Sequence, residues 1–94
     1  MENTYKTRFT DYLKDCNDGA LLLPEEFSDA LVGVAHQFTK TLAVYDTKKI
    51  ISIMVENWEI SEDEAMEFYL YNMQGSYAGE NTPLFLESID DILM

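Results

Sequence analysis

From Ile50 to Met94 the chain carries ten Asp and Glu residues and not one Lys or Arg. No ion pair can form within that half. It must be held by buried apolar surface, while its carboxylates stay in water or meet a cation from elsewhere. Residues 1–49 hold eight acids against six bases, which brings the 94-residue chain to a formal net charge of −12. Such a chain repels nucleic-acid phosphate, so direct DNA or RNA binding is not expected. Hydrophobic residues still make up 47% and aromatics 13%, enough to build a core and to argue against disorder. The length fits one domain.

One Cys and one His rule out a disulfide framework and a Cys/His zinc site, and no cofactor is implied. No apolar run approaches the roughly 18 residues of a membrane span. The start, Met-Glu-Asn-Thr-Tyr-Lys, does not read as a signal peptide. The expectation is a cytoplasmic globular protein.

Tyr5, Phe9, Tyr12, Leu13 and Cys16 share one helical face, which predicts a helix over 3–16 stopped by Asn17-Asp18-Gly19. Cys16 falls on the apolar side and reads as an inert buried thiol. Pro24, Glu25 and Glu26 suit a helix start. Phe27, Ala30, Leu31, Val34, Ala35 and Phe38 follow at helical spacing, the clearest helix signal in the chain. His36 then faces away from that stripe and reads as an exposed, solvated side chain. Lys40 to Tyr45 is rich in β-branched and aromatic residues and predicts a short strand.

Asp46 or Thr47 caps a helix through about Asn57, apolar around most of its circumference and therefore central. Lys48 and Lys49 sit in its first turn, where they oppose the helix dipole. Ser61-Glu62-Asp63-Glu64 is a capping box. Ala65, Phe68, Tyr69 and Met73 form the buried face of the helix that follows, which ends near Gln74-Gly75. Ser76 to Thr82 reads as a loop and Pro83 to Leu86 as a second strand, most simply paired with Leu42 to Tyr45. Ser88 caps a final helical turn over 88–94. The fold class is α+β: about four helices on a small two-stranded sheet, in one domain spanning 1–94.

Motifs of catalysis are missing. Asp63 and Glu67 stand one turn apart on the solvent side of a helix, whereas a general acid needs an apolar pocket. There is no P-loop, no GxSxG elbow and no EF-hand loop. Residues 72–85 stand out instead, with Asn72, Gly75, Tyr77, Gly79, Glu80, Thr82 and Pro83 in fourteen positions. They fit either a helix stop leading into an edge strand or a contact surface anchored by Tyr77.

Several stretches together resemble a family of small phage and prophage proteins whose activity is uncharacterised. These are Leu23-Pro24-Glu25-Glu26-Phe27, Ala30-Leu31-Val32-Gly33-Val34, Ala43-Val44-Tyr45-Asp46, Glu64-Ala65-Met66-Glu67-Phe68 and the run Asn72-x-x-Gly75-x-Tyr77-x-Gly79-Glu80-x-Thr82-Pro83-x-Phe85. The likeness covers about residues 22–86, and its last motif is the most specific. Family members often carry a Cys near the position of Lys49 and a Gly near Trp58, and this chain has neither. The resemblance implies a viral or prophage origin inside a bacterial host and supplies no activity.

Three functional readings follow. The first is a non-enzymatic accessory protein that binds a host protein with a basic surface. Its carboxylates would imitate nucleic-acid phosphates and inhibit a nucleic-acid-binding defence or replication factor. The candidate contacts are Glu56, Glu59, Glu62, Asp63 and Glu67, extended by Asp90 and Asp91, with Tyr77 and Glu80 from the loop. The second is a self-assembling structural protein, a homodimer burying its surplus of aromatics around Trp58, Tyr69, Tyr71 and Tyr77. The third, least favoured, is an enzyme with its site in the 72–82 loop and Glu80 as base. It predicts a concave pocket beside Glu80 with the carboxyl pKa raised there, and a fully exposed Glu80 would count against it. The first three acids after Ser61 also have a purely structural account, since they complement a helix N-terminus.

Overall fold

The computed structural model describes residues 4–75 and 78–93, with side chains from Arg8 onward. In chain order it runs α1 (Thr4–Cys16), a 3-10 turn (Glu25–Ala30), β1 (Leu31–Gln37), β2 (Lys40–Asp46), α2 (Thr47–Trp58), α3 (Glu62–Tyr69), a π turn (Leu70–Gln74), β3 (Leu84–Leu86) and α4 (Ile89–Leu93). The α+β expectation holds. The sheet has three strands rather than two, in the order β1-β2-β3.

The difference lies in the stretch expected to be a helix from Pro24 to Phe38. Its apolar spacing comes from two structures in series. Phe27 and Ala30 are buried three residues apart by the 3-10 turn, and extended chain then carries Leu31 and Val34 to the same core. Val32, Gly33 and Val34 are poor helix formers, and antiparallel pairing with β2 through the two-residue loop Phe38-Thr39 decides the outcome. β3 pairs in parallel with β2, Val44 opposite Leu84 and Asp46 opposite Leu86. The expected partner of the second strand is therefore correct.

Alternation along the strands sends Val34, Ala43, Tyr45 and Phe85 into the main core. That core is closed by Ile50, Ile53 and Met54 of α2, Ala65 and Tyr69 of α3, and Leu13 of α1. Tyr45 is fully enclosed, and its hydroxyl accepts from the Leu23 amide at 2.9 Å. α1 buries a narrower strip than its sequence suggests. Leu13 is sealed, but Tyr12 is half exposed and Cys16 lies in solvent, so the expectation of a buried thiol is wrong. His36 is exposed as expected, with its Nδ1 3.0 Å from Thr41 Oγ1 across the hairpin.

Both caps read from the sequence are present. Asp46 accepts from the Lys49 amide at 2.9 Å to start α2. Ser61 Oγ accepts from the Glu64 amide while Glu64 Oε1 accepts from the Ser61 amide, at 3.1 and 3.0 Å. Ser88 Oγ likewise accepts from the Asp91 amide to begin α4.

The π turn explains how α3 reaches Gln74. Ala65, Tyr69 and Met73 are all buried at intervals of four, which an α-helix of 3.6 residues per turn carries progressively off its face. Widening the last turn to an i to i+5 bond, Gly75 N–H to Leu70 C=O at 3.1 Å, returns Met73 to the core.

Candidate functional site

The clustered acids lie at the corner where α2 gives way to α3. Glu56 is on the last turn of α2, and Glu59 forms its C-terminal cap in the left-handed region at φ 54°. Glu62 and Asp63 open α3, and Glu67 lies one turn beyond Asp63. All five are exposed. None pairs with a cation among the described residues. Glu64, in their midst, is absorbed by the capping box. Glu56 and Glu62 come from different helices yet share one shallow groove with Ile51, Ser52 and Val55. Asp63 and Glu67 share another with Met66, Leu70 and Tyr71.

That second groove adds Met66 and Leu70 to the residues the sequence points to, and brings Tyr71 beside the acids rather than into a dimer surface. Asp63, Met66, Glu67, Leu70 and Tyr71 follow the i, i+3, i+4, i+7, i+8 rule and mark a second stripe, running from α3 into the π turn, that faces water. Met66 is 41%, Leu70 47% and Tyr71 76% exposed. The spacing was legible. The buried stripe of Ala65, Tyr69 and Met73 already accounts for a helix here, so the second stripe adds nothing to the helix assignment. A flexible Met between two carboxylates, followed by a Leu and a Tyr, makes a ridge with apolar anchors and an acidic end.

The remaining candidates are not brought to this corner as free charges. Lys48 reaches Asp91 at 3.6 Å and Lys40 reaches Glu80 at 3.6 Å. Two of the five first-half lysines thus meet second-half acids, and the awkward placement of Lys48 in the first turn of α2 has a structural partner. Asp90 is exposed in the first turn of α4. Tyr77 lies outside the described residues. Glu80 does line a concavity with Gln37, Lys40, Gln74 and Thr82, but its side chain is 74% exposed, whereas a carboxyl tuned for acid–base work needs an apolar enclosure.

The loop residues that stood out in the sequence have work in the fold. Asn72 Nδ2 donates to the Phe68 carbonyl at 3.2 Å. Gly79 takes φ 106°, a value that suits glycine. Thr82 Oγ1 accepts from the Ala78 amide and donates to the Gly79 carbonyl, closing the turn. Asn81 is clamped by Asn17 and Lys40, and its own carbonyl accepts from the Leu21 amide. Phe85 meets Tyr69 edge to face at 5.5 Å.

The aromatics offered as a dimer surface divide in the same way. Tyr69 is 3% exposed and unavailable. Trp58 is half buried between Phe27 and Phe68, with its Nε1 donating to Glu26 at 3.1 Å. Tyr71 alone of the described members of that set stands free in solvent.

Among the described residues no group of three or more His, Cys, Asp or Glu side chains is placed to hold a metal ion. No helix there is long and apolar enough to cross a membrane. Comparison with known proteins finds no matching family model, no matching curated protein and no matching solved structure.

Proposed function

We propose that the chain is a small acidic protein-binding domain that engages the basic surface of a partner through the α2–α3 corner, acting as a non-enzymatic accessory or inhibitory factor. One observation carries the reading. Glu56, Glu59, Glu62, Asp63 and Glu67 are exposed without a cation among the described residues, and Asp63 and Glu67 share a groove with exposed Met66, Leu70 and Tyr71. Carboxylates alone would serve solubility. Carboxylates around apolar anchors have the make-up of a binding surface, with an energetic centre and a steering rim.

The partner that fits is a protein with a cationic groove around an apolar floor. A groove built for nucleic-acid phosphates has the right charge, and occupying it would inhibit its owner. The target proposed on the sequence resemblance alone, for which no family model matches, is a host factor inside a bacterial cell.

Affinity capture from host lysate tests this, with nuclease treatment and a salt ramp. The expected result is a nucleic-acid-binding protein that survives nuclease, elutes at moderate salt, and is lost when Glu62, Asp63 and Glu67 are changed to Lys. Reversal of Asp11 and Asp15 on α1 should leave capture intact. Tyr71→Ala should weaken binding without changing its salt dependence, because it removes an anchor and no charge. An empty eluate, or capture indifferent to the triple reversal, overturns the proposal.

A further inference from the structure

The two edges of the sheet are unequal. β3 is three residues long, preceded by Pro83 and followed by Glu87, features that discourage further strand pairing. β1 is seven residues long and bears no charge, with a register shift only at its start, between Leu31 and Gly33. Gly33 to Gln37 is regular extended chain without a charged side chain or a proline. It has no partner strand on its outer side among the described residues.

The register says which groups are offered there. A two-residue loop closes on the Gln37–Lys40 pair, and backbone bonding to β2 then alternates, so Gln37, Ala35 and Gly33 bond inward. Val34 and His36 therefore turn both N–H and C=O outward. Water meets these groups in the single copy, and an extended strand is the partner that can replace it along the whole row.

We infer that this edge is a homodimerisation site, at which β1 of a second copy pairs antiparallel about a two-fold axis at Ala35. The pairing sets Val34 opposite His36 of the other copy, with four backbone hydrogen bonds, and Gly33 opposite Gln37. The register uses only the regular stretch. It keeps the irregular start of β1 and the Phe38-Thr39 loop outside. The sheet grows from three strands to six.

Two observations favour a second copy as the occupant. A two-fold requires self-complementarity. None of the side chains opposed here is an Asp, Glu, Lys or Arg, with Ala35 facing itself and the small Gly33 facing Gln37; no atom lies within 4 Å of where a Cβ on Gly33 would stand. The chain also has a net charge of −12, so copies repel one another, and a strand free of charge is the segment at which they can approach most closely.

That same repulsion separates this dimer from the acidic-face interaction. Added salt screens it and tightens self-association, whereas salt weakens binding of a basic partner.

The test is sedimentation at several protein concentrations and two salt levels, with cross-linking in a Cys16→Ser background. A species of twice 10.9 kDa, increasing with salt, is expected. Ala35→Cys should form a disulfide dimer under mild oxidation. Non-hydrogen-bonded antiparallel pairs place their Cα atoms about 4.5 Å apart, within disulfide range. Gly33→Cys should cross-link far less, because it faces Gln37 of the other copy. Ala35→Lys should sediment as a monomer with an unchanged circular dichroism spectrum, and mixing it with Ala35→Glu should restore the dimer. A monomer at every concentration overturns the inference, as does a dimer that ignores Ala35→Lys or equal cross-linking from positions 33 and 35.

Discussion

The hydroxyls of Thr47 and Tyr69 lie 3.1 Å apart, with both residues buried, and tie the first residue of α2 to the last residue of α3. The bond sits where the strand layer hands over to the helices, with Phe85 edge-on to the Tyr69 ring. Tyr69→Phe leaves the Thr47 hydroxyl enclosed without that partner and should destabilise the fold by about 1–2 kcal/mol. Thr47→Val in the same chain removes the orphan as well and should recover part of the loss. Urea unfolding of the two single variants and the double variant measures the coupling.

Tyr69 and Tyr45 also set the alkaline limit of the fold. Burial holds both phenols above their ordinary value of 10.0. The hydrogen bond with Thr47 partly offsets the shift at Tyr69, which the charge of Glu87 adds to; the Leu23 amide partly offsets it at Tyr45. Because the folded pKa values are raised, the unfolded chain releases its phenolic protons first as pH climbs. Their contribution to stability is fully present below pH 10 and is lost as pH rises through the folded pKa values. Urea midpoints should decline above pH 10, and the decline should be shallower in Tyr45→Phe and Tyr69→Phe than in the parent.

Most of the scaffold around these residues was legible because local signals agreed with the tertiary outcome. Asp46 before α2, the Ser61 box before α3, and the β-branched run of β2 each point to the element that forms. Residues 24–38 were misread because Phe27, Ala30, Leu31 and Val34 satisfy a helical period through a 3-10 turn and a strand in succession, and periodicity does not report where one structure gives way to another. Cys16 was misplaced because the register of a helical face does not say how much of it a small domain can cover. The acids of the candidate site were visible in the charge distribution. The spacing of Met66, Leu70 and Tyr71 is equally visible, but spacing does not say which of two stripes on one helix is buried, and that depends on the tertiary packing.

Phe38 is the clearest conflict between residue and backbone. It occupies the first position of the β1–β2 loop at φ 56° with its side chain 99% exposed. That conformation suits Gly or Asn and disfavours an L-residue with a bulky side chain by about 1–2 kcal/mol. Since the ring is almost wholly exposed, Phe38→Asn should relieve strain at little expense in packing. An increase of about 1 kcal/mol in unfolding free energy is expected, seen as a thermal midpoint about 4–8 °C higher.

Gly75 and Gly33 make an opposed pair. A Cβ on Gly75 would stand 2.9 Å from the Leu70 carbonyl oxygen that its own amide bonds, so Gly75→Ala must distort the π turn. A loss of about 1–3 kcal/mol is expected, the range of an overpacked site. Gly33→Ala meets open space and restricts the unfolded chain, so a gain of about 0.4–1 kcal/mol is expected. Thermal unfolding of the two variants side by side decides whether the π turn is sterically closed.

Glu59 breaks two local rules at once. It caps α2 in the left-handed region at φ 54°, a place that favours glycine, and it sets a carboxylate at the negative end of a helix dipole, unfavourable by about 0.3–1 kcal/mol. Glu59→Gly should therefore raise unfolding free energy by about 1 kcal/mol from the combined relief. A residue poorly suited to its backbone and its field, yet exposed among four other uncompensated acids, fits a surface shaped for contact more than for stability. The two effects predict opposite changes in one variant: a higher thermal midpoint and weaker retention of a basic partner at fixed salt. Glu59→Asn relieves most of the backbone strain while removing the same charge, so it should follow Glu59→Gly in both measurements. If retention is unchanged in both variants while the midpoint rises, Glu59 lies outside the contact surface, and the acidic corner is confined to Glu56, Glu62, Asp63 and Glu67.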